Sequence, residues 1–560
     1  MKVSILTPWR IASASRIALF LALLFPTPSL SQEKREEPVV VTLQETIIDT
    51  VIIDRQDLFP REEAAANPFY GFFNSLHTTT RPFVVRRELL LREGMPFDSS
   101  LAAESERNLR QRRLFRSVRV DSGRVDGKLA LLVQTRDAWS FAPRVTGKIS
   151  ADGRLVGNAG ITESNVAGTG TRVRAYYLRE SDRDGIDLGA RSRRIGRGNF
   201  SASLRWLNLS DRDITSWSFS KPFRAMSDRF AIFYDGQAFS GRTLQFRVES
   251  PTAKDTTTWR RQAAINRAFI TYAPIANSRE YLRVGIHLEH RREQFIKLDK
   301  PELDQDSIIA AVPDSTYGLV GVFMEYRRAR FERVRRLNGF PEEDQDLSDL
   351  IFVSVNLASK GLGYSSTGVG SRILLQSGAK VGPLLVKGVI DGNALFNSAG
   401  LDSGRVQTTG TAAVQWEARN STFVQASGGL LDSVRPGQEF DLGFQVMPRL
   451  WGPHAFVGTR TWRLTVEHRY YAFDNMLGIM GMGFGAFLDY GGAWYPDEAV
   501  RPSGIQDNSR IGGNAGLSLI FGSGLGSFAQ VAHLSAGYRF GGGIAETKRW
   551  AVSLGSGIIF

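Results

Sequence analysis

From about residue 140 to residue 560 the chain has no convincing helical periodicity. It carries short segments in which apolar and polar residues alternate, separated by Gly, Asp, Asn and Ser turns. Period-two alternation marks a strand with two unlike faces. In 200–206, Phe200, Ala202, Leu204 and Trp206 share one face, and Ser201, Ser203 and Arg205 the other. Phe230, Ile232 and Tyr234 alternate with Arg229, Ala231, Phe233 and Asp235. Ala532, Leu534, Ala536, Tyr538 and Phe540 alternate with Val531, His533, Ser535, Gly537 and Arg539. An apolar outer face over a polar, arginine-containing inner face suits a wall between lipid and a wet lumen. Only closure satisfies every backbone group in hydrocarbon. A soluble all-β protein would alternate in the same way, but the length, the outer-face aromatics and the export signal described next favour the barrel. At about 26 residues per strand with its share of loop, the 421 residues of 140–560 predict an antiparallel transmembrane β-barrel of roughly sixteen strands.

Composition narrows the alternatives. Contents of 42% hydrophobic and 11% aromatic residues exclude a disordered chain. The absence of cysteine excludes a disulfide scaffold, a cysteine-ligated zinc or iron–sulfur site and an acylated-cysteine lipoprotein. A mean hydropathy of −0.18 excludes a polytopic helical membrane protein. Residues 1–31 read as a signal peptide: Lys2, Arg10 and Arg16 form the basic region, and Ile17 to Phe25 the apolar one. Pro26 and Pro28 break the helix, and Ser29-Leu30-Ser31 is the cleavage pattern. Removing three basic residues takes the formal charge from +13 to +10. That excess suggests anionic headgroups or basic side chains lining a polar interior. No motif accompanies it that would point to nucleic acid.

Residues 32–45 form a linker, and 46–139 a small α+β domain of pattern β-α-α-β-β. Ile48, Thr50, Ile52 and Asp54 lie on a first strand, followed by an irregular aromatic stretch over 55–79. Thr80 is the expected N-cap of a helix that begins at Pro82, offers Val85, Leu89 and Leu90 to a core, and ends at Gly94. Asp98 or Ser99 caps a second helix that buries Leu101 and Leu109. The strands 117–121 and 128–137 close the domain with Val118, Val120, Leu129, Leu131 and Val133. At the other end of the chain, Trp550, Val552, Leu554, Ile558 and Phe560 share one face of a final strand, with Ser556 as the polar interruption.

The run RPFVVRRELLLREGMPFDSSLAAESERNLRQRRLFRSVRVD, followed by KLALLVQTRDAWS, resembles a POTRA domain of the BamA/TamA superfamily of outer-membrane assembly barrels, also called bacterial surface antigens. One such domain is visible where better-known members carry several. Glu163, Asn165, Gly168 and Gly170 match the family's turn at the start of the barrel. RLWGPHAFVGTRTWRLTVEHRYY is similar to the family's Arg-Gly-aromatic motif on a loop folded into the lumen, through Arg449, Trp451, Phe456, Gly458 and Glu467, with Leu450 standing at the glycine. FLDYG supplies the wall motif through Phe487, Asp489 and Gly491. A terminal strand ending in Phe560 resembles the assembly signal of such barrels. An arginine and an aspartate facing a confined lumen can make a bidentate pair, so Arg449 and Asp489 are expected to pin the inserted loop to the wall. VRRLNGF at 334–340 lacks the downstream spacing and reads as an ordinary basic loop.

The resemblance implies a non-catalytic factor in the outer membrane of a Gram-negative-type bacterium, with its POTRA domain in the periplasm. It would insert or translocate proteins by POTRA strand augmentation and a gated barrel. Its partners would be outer-membrane lipid and lipopolysaccharide, unfolded client proteins and periplasmic accessory proteins. The alternative is a passive outer-membrane channel or surface antigen without an assembly role. No nucleophile elbow, zinc-helix motif or phosphate loop occurs, so no enzyme activity, cofactor or metal is expected. His287 and His290 fall on opposite faces of a strand. The clusters Asp182/Asp184, Asp211/Asp213 and Asp344/Asp346/Asp349 fit turns better than calcium loops.

Overall fold

The computed structural model describes residues 47–149, 155–179, 183–196, 199–246, 256–298, 315–340, 342–363, 367–432, 438–443, 446–452, 455–476, 480–496, 510–523, 531–541 and 549–555. The expected signal peptide, the linker, Ile558 and Phe560 lie outside these residues.

The small domain is built from β1 (Thr50–Gln56), α1 (Arg61–Ala66), α2 (Pro68–Leu76), α3 (Pro82–Arg86), α4 (Ser99–Gln111), β2 (Phe115–Val125) and β3 (Lys128–Asp137). Its sheet has the order β1-β3-β2, with β1 parallel and β2 antiparallel to β3. Ile48, Val85, Leu109, Leu131 and Val133 form its core. Asp98 caps α4 by accepting from the N–H groups of Ser100 and Leu101 at 2.7 and 3.2 Å.

Three local expectations fail. The stretch 55–79 is not irregular, because it holds α1 and α2. The helix expected to run to Gly94 stops at Arg86, since Glu88 turns inward to ion-pair with Arg112 and Arg194. Thr80 does not cap α3. It is fully buried, and its N–H and hydroxyl both donate to one Asp137 oxygen at 2.6 and 2.8 Å.

The rest of the chain closes into one antiparallel barrel with two inserts. Its first strands are β4 (Phe141–Ile149), β5 (Leu155–Glu163), β6 (Arg172–Arg179), β7 (Asp184–Ile195), β8 (Phe200–Leu209) and β9 (Arg212–Lys221). The long wall follows as β10 (Phe230–Phe246), β11 (Thr256–Ala276), β12 (Glu280–Leu298) and β13 (Ser315–Arg328). A hairpin of β14 (Phe331–Arg335) and β15 (Glu342–Asp346) pairs only with itself. The wall resumes with β16 (Asp349–Ala358), β17 (Gly368–Val381), β18 (Leu384–Asn397), β19 (Gly400–Glu417) and β20 (Asn420–Asp432). A second short pair, β21 (Phe440–Leu442) with β22 (Phe456–Gly458), precedes β23 (Arg460–Met476) and β24 (Met480–Trp494). The barrel ends with β25 (Arg510–Ser523), β26 (Ala532–Gly541) and β27 (Trp550–Gly555).

The barrel therefore has 20 strands, not sixteen. The expected figure assumed long connections, whereas 210–211, 382–383, 398–399 and 418–419 join adjacent strands with two residues each. The alternation read from the sequence sets the faces. Leu204, Trp206, Leu534 and Tyr538 are exposed on the outside, while Ser535, His533 and Arg539 are buried inside.

Candidate functional site

The strand directions alternate, so each connection lies at a known end of the barrel. The described residues of 329–348 lie at the end nearest the small domain, and those of 438–459 at the far end. Both segments turn into the lumen. They meet on the wall at β23 to β25, and the near-end segment also packs on β18 to β20 through Leu385, Ala413 and Phe423.

From the far end, the loop carrying β21 and β22 delivers Arg449, which is 6% exposed. Its Nε and Nη2 donate to the two carboxylate oxygens of Asp489 on β24 at 2.9 and 3.1 Å. Its backbone N–H donates to the same carboxylate at 3.1 Å. Nη2 also stands 2.7 Å from Glu467 on β23. Its guanidinium lies 4.1 Å from the centre of the Phe487 ring. A planar fork matched to a carboxylate at this depth fixes both position and orientation. Asn514 on β25 completes the seat: its amide donates to Asp489 at 2.8 Å and its oxygen accepts the Leu450 N–H at 3.0 Å. Leu450 is fully buried and adopts no left-handed backbone, so the turn does not require glycine there.

Aromatic anchors hold the rest of the loop. Trp451 donates its indole N–H to the Gly513 carbonyl at 3.1 Å and meets Phe456 edge-on at 5.1 Å. A Cβ on Gly512 would sit 2.8 Å from both rings, so glycine at that position makes the socket. Gly458 presses on the backbone of Trp494, and Gly491 on β24 sits against Trp462 and Arg463 of β23. All eight residues assigned to the loop and wall motifs thus occupy one buried cluster or its immediate support. The outward-facing Trp550 and Val552 lie on β27, as does Leu554, which pairs with Gly147 across the barrel closure.

From the near end, the β14–β15 hairpin delivers the segment Arg336 to Phe340. This corrects the expectation of an ordinary basic loop. Leu337 is fully buried, and its carbonyl accepts from Arg469 at 3.2 Å and from the Tyr471 hydroxyl at 2.6 Å. Phe340 meets Tyr471 edge-on at 5.1 Å and covers Gly481 and Gly522, where a Cβ would collide with its ring. Arg336 makes a bidentate pair with Asp474. Its charges face partners, which a basic-loop reading does not anticipate.

The two inserts share a wall residue. Glu467 receives Arg449 on one oxygen and Arg469 on the other, the latter at 2.5 Å, and His533 on β26 lies 3.6 Å away. A continuous buried polar path therefore runs from Asp489 through Arg449, Glu467 and Arg469 to Leu337. Arg469 was missed at the sequence level, although its place two residues after Glu467 puts it on the same face.

The hairpin is also tied to α4. Arg110 forks onto Asp344 at 2.9 and 3.0 Å, Arg333 reaches Glu106 at 2.6 Å, and Arg107 lies over the Phe331 ring. Asp346 and Asp349 likewise pair with Arg327 and Arg330. Glu104 of α4 accepts from the Met226 N–H at 2.8 Å. Burial pushes its carboxyl above the usual range, and the Met226 hydrogen bond opposes that shift. The family-like turn after β5 completes the joint. Asn165 donates to Thr80 at 2.9 Å and accepts from the Gly170 N–H at 2.7 Å, and the Gly168 carbonyl accepts from Arg81. Gly168 and Gly170 have φ of +72° and +68°, which other side chains resist.

No family model and no curated protein matches the chain. Among solved structures it is similar to BamA from Haemophilus ducreyi lacking POTRA domains 1–3, at 11% identity over 90% of this chain and 84% of that one, with a TM-score of 0.41. CdiB from Escherichia coli is 12% identical over 95% and 93% of the two chains, with a TM-score of 0.42. The FrpB iron transporter from Neisseria meningitidis is 9% identical over 78% and 86%, with a TM-score of 0.38. At these identities the likeness is one of fold alone and assigns neither an activity nor a partner.

Proposed function

We propose that this chain is an outer-membrane β-barrel of the BamA/TamA type that inserts or translocates proteins. Residues 46–139 act as a POTRA domain on the periplasmic side. The supporting observation is that two segments enter the lumen from opposite ends and meet at Glu467, one through Arg449 and the other through Arg469. The edge strands β1 and β2 of the small sheet offer backbone groups on which a client strand can pair. In this reading the barrel opens between its first and last strands, β4 and β27, while Arg449 and Asp489 keep the loop seated. A passive channel is the weaker reading, because two segments enter the lumen from opposite ends.

Depletion of the protein in its own host tests the proposal. The expected result is loss of other barrels, or of a secreted client, from the outer membrane. Unchanged outer-membrane and secreted proteins would count against it.

A further inference from the structure

Helix α2 presents an apolar face that nothing in the described structure covers. Phe69, Phe72 and Leu76 stand at i, i+3 and i+7 of one helix and are 43%, 57% and 60% exposed. The helix itself is firmly mounted. Asn67 caps it by accepting from the Phe69 N–H at 3.0 Å. Tyr70 stacks on Phe59 with centroids 4.0 Å apart, and Phe73 meets Trp139 edge-on at 5.0 Å. The Asn74 amide brackets the Phe59 backbone, accepting from its N–H and donating to its carbonyl at 3.1 and 3.0 Å. No residue of PFYGFFNSL is charged.

The position of this face indicates what covers it. Trp139, on which α2 rests, lies two residues before Phe141, the first residue of β4. Two residues of extended chain reach about 7 Å. Phe141 and Val145 are 38% and 60% exposed on the outside of β4, so the outer apolar face begins at the root of that strand. The uncovered face of α2 therefore lies close to the root of β4, where the apolar outside of the barrel begins.

We propose that α2 is a membrane-interface helix: Phe69, Phe72 and Leu76 enter the leaflet on the small-domain side and hold that domain against the bilayer. The partner is the lipid surface itself. Aromatic side chains suit the headgroup level, where an apolar body and a nearby polar layer are both available. The face carries no basic residue, so insertion is apolar and does not depend on anionic lipid. This inference rests on the reading that the barrel spans a bilayer.

The absence of cysteine makes the test direct. The full chain carrying F72C is labelled with a small fluorophore and reconstituted in phosphatidylcholine vesicles that contain nitroxide lipids. Two controls are V322C, on the outside of the barrel, and E62C, on the exposed side of α1. The expected result is that the label at 72 is quenched most by nitroxide near the headgroup, the label at 322 by nitroxide deeper in the chains, and the label at 62 by neither. Replacing phosphatidylcholine with an anionic lipid should leave the quenching at 72 unchanged. Quenching at 322 without quenching at 72 overturns the proposal while the barrel reading stands. No quenching at either position removes the barrel reading and the proposal with it. Shielding of position 72 from aqueous iodide only after an unfolded protein is added assigns the face to a client and likewise overturns the proposal.

Discussion

The two inserted segments meet at Glu467 from opposite ends of the barrel, and they are held in different ways. The far-end loop is held by a charge fork and aromatic sockets on β24 and β25, whereas the near-end hairpin also packs apolar side chains against Leu385, Ala413 and Phe423 on β18 to β20. The inner face of β23–β25 receives both inserts, through Glu467, Asp489 and Asn514 and through sockets at Gly481, Gly512 and Gly522. Buried carboxylates are costly unless paired, so this wall is stable only while Arg449 and Arg469 are in place. Glu467 on β23 thus carries the junction of both inserts, so loss of an arginine there is felt from both ends of the lumen.

The largest expected effect comes from separating the inserted loop from its wall. Arg449→Ala or Asp489→Ala leaves a buried charge without its fork partner, at a cost of about 3–5 kcal/mol. Limited proteolysis from the loop side should then cut within 433–459. In a double-mutant cycle the two alanine effects should fall short of additivity; simple addition would mean that the contact carries nothing. Somewhat less is expected from Arg469→Ala, about 1–3 kcal/mol, because Glu467 keeps Arg449 and the Leu337 carbonyl keeps Tyr471. Its distinguishing sign is that both inserts loosen together, which amide hydrogen exchange on 336–340 and 446–452 would report. Gly512→Leu tests the aromatic socket without touching a charge. Overpacking of about 1–3 kcal/mol should displace Trp451 and shift its fluorescence. The smallest effect is expected at the rim, where the Arg333 side chain is 50% exposed. Arg333→Ala should cost no more than about 1 kcal/mol and leave loop protection unchanged.

Legibility in the sequence followed the same division. The loop and its wall could be read because a motif concentrates their chemistry: an arginine, aromatics and a glycine in one run, with Phe-x-Asp-x-Gly downstream. The hairpin could not be, because Arg336, Leu337 and Phe340 acquire meaning only from Asp474, Arg469 and Tyr471, more than a hundred residues away. Inner and outer faces followed from period-two alternation, which is local. Strand number did not, because it depends on turn length, and turns of two residues leave almost no compositional mark. Helices α1 and α2, with 6 and 9 residues, are too short to announce a period. Asn514 carries no motif and is defined by where the loop lands.

The proposal that the barrel handles clients by opening between β4 and β27 can be tested on a chain that has no cysteine of its own. Gly147→Cys with Leu554→Cys places two thiols on directly paired residues of β4 and β27. With the disulfide formed, assembly or export of client proteins should stop while the barrel stays folded, and reduction should restore it. Client handling that continues unchanged across a fully oxidised closure would contradict the account.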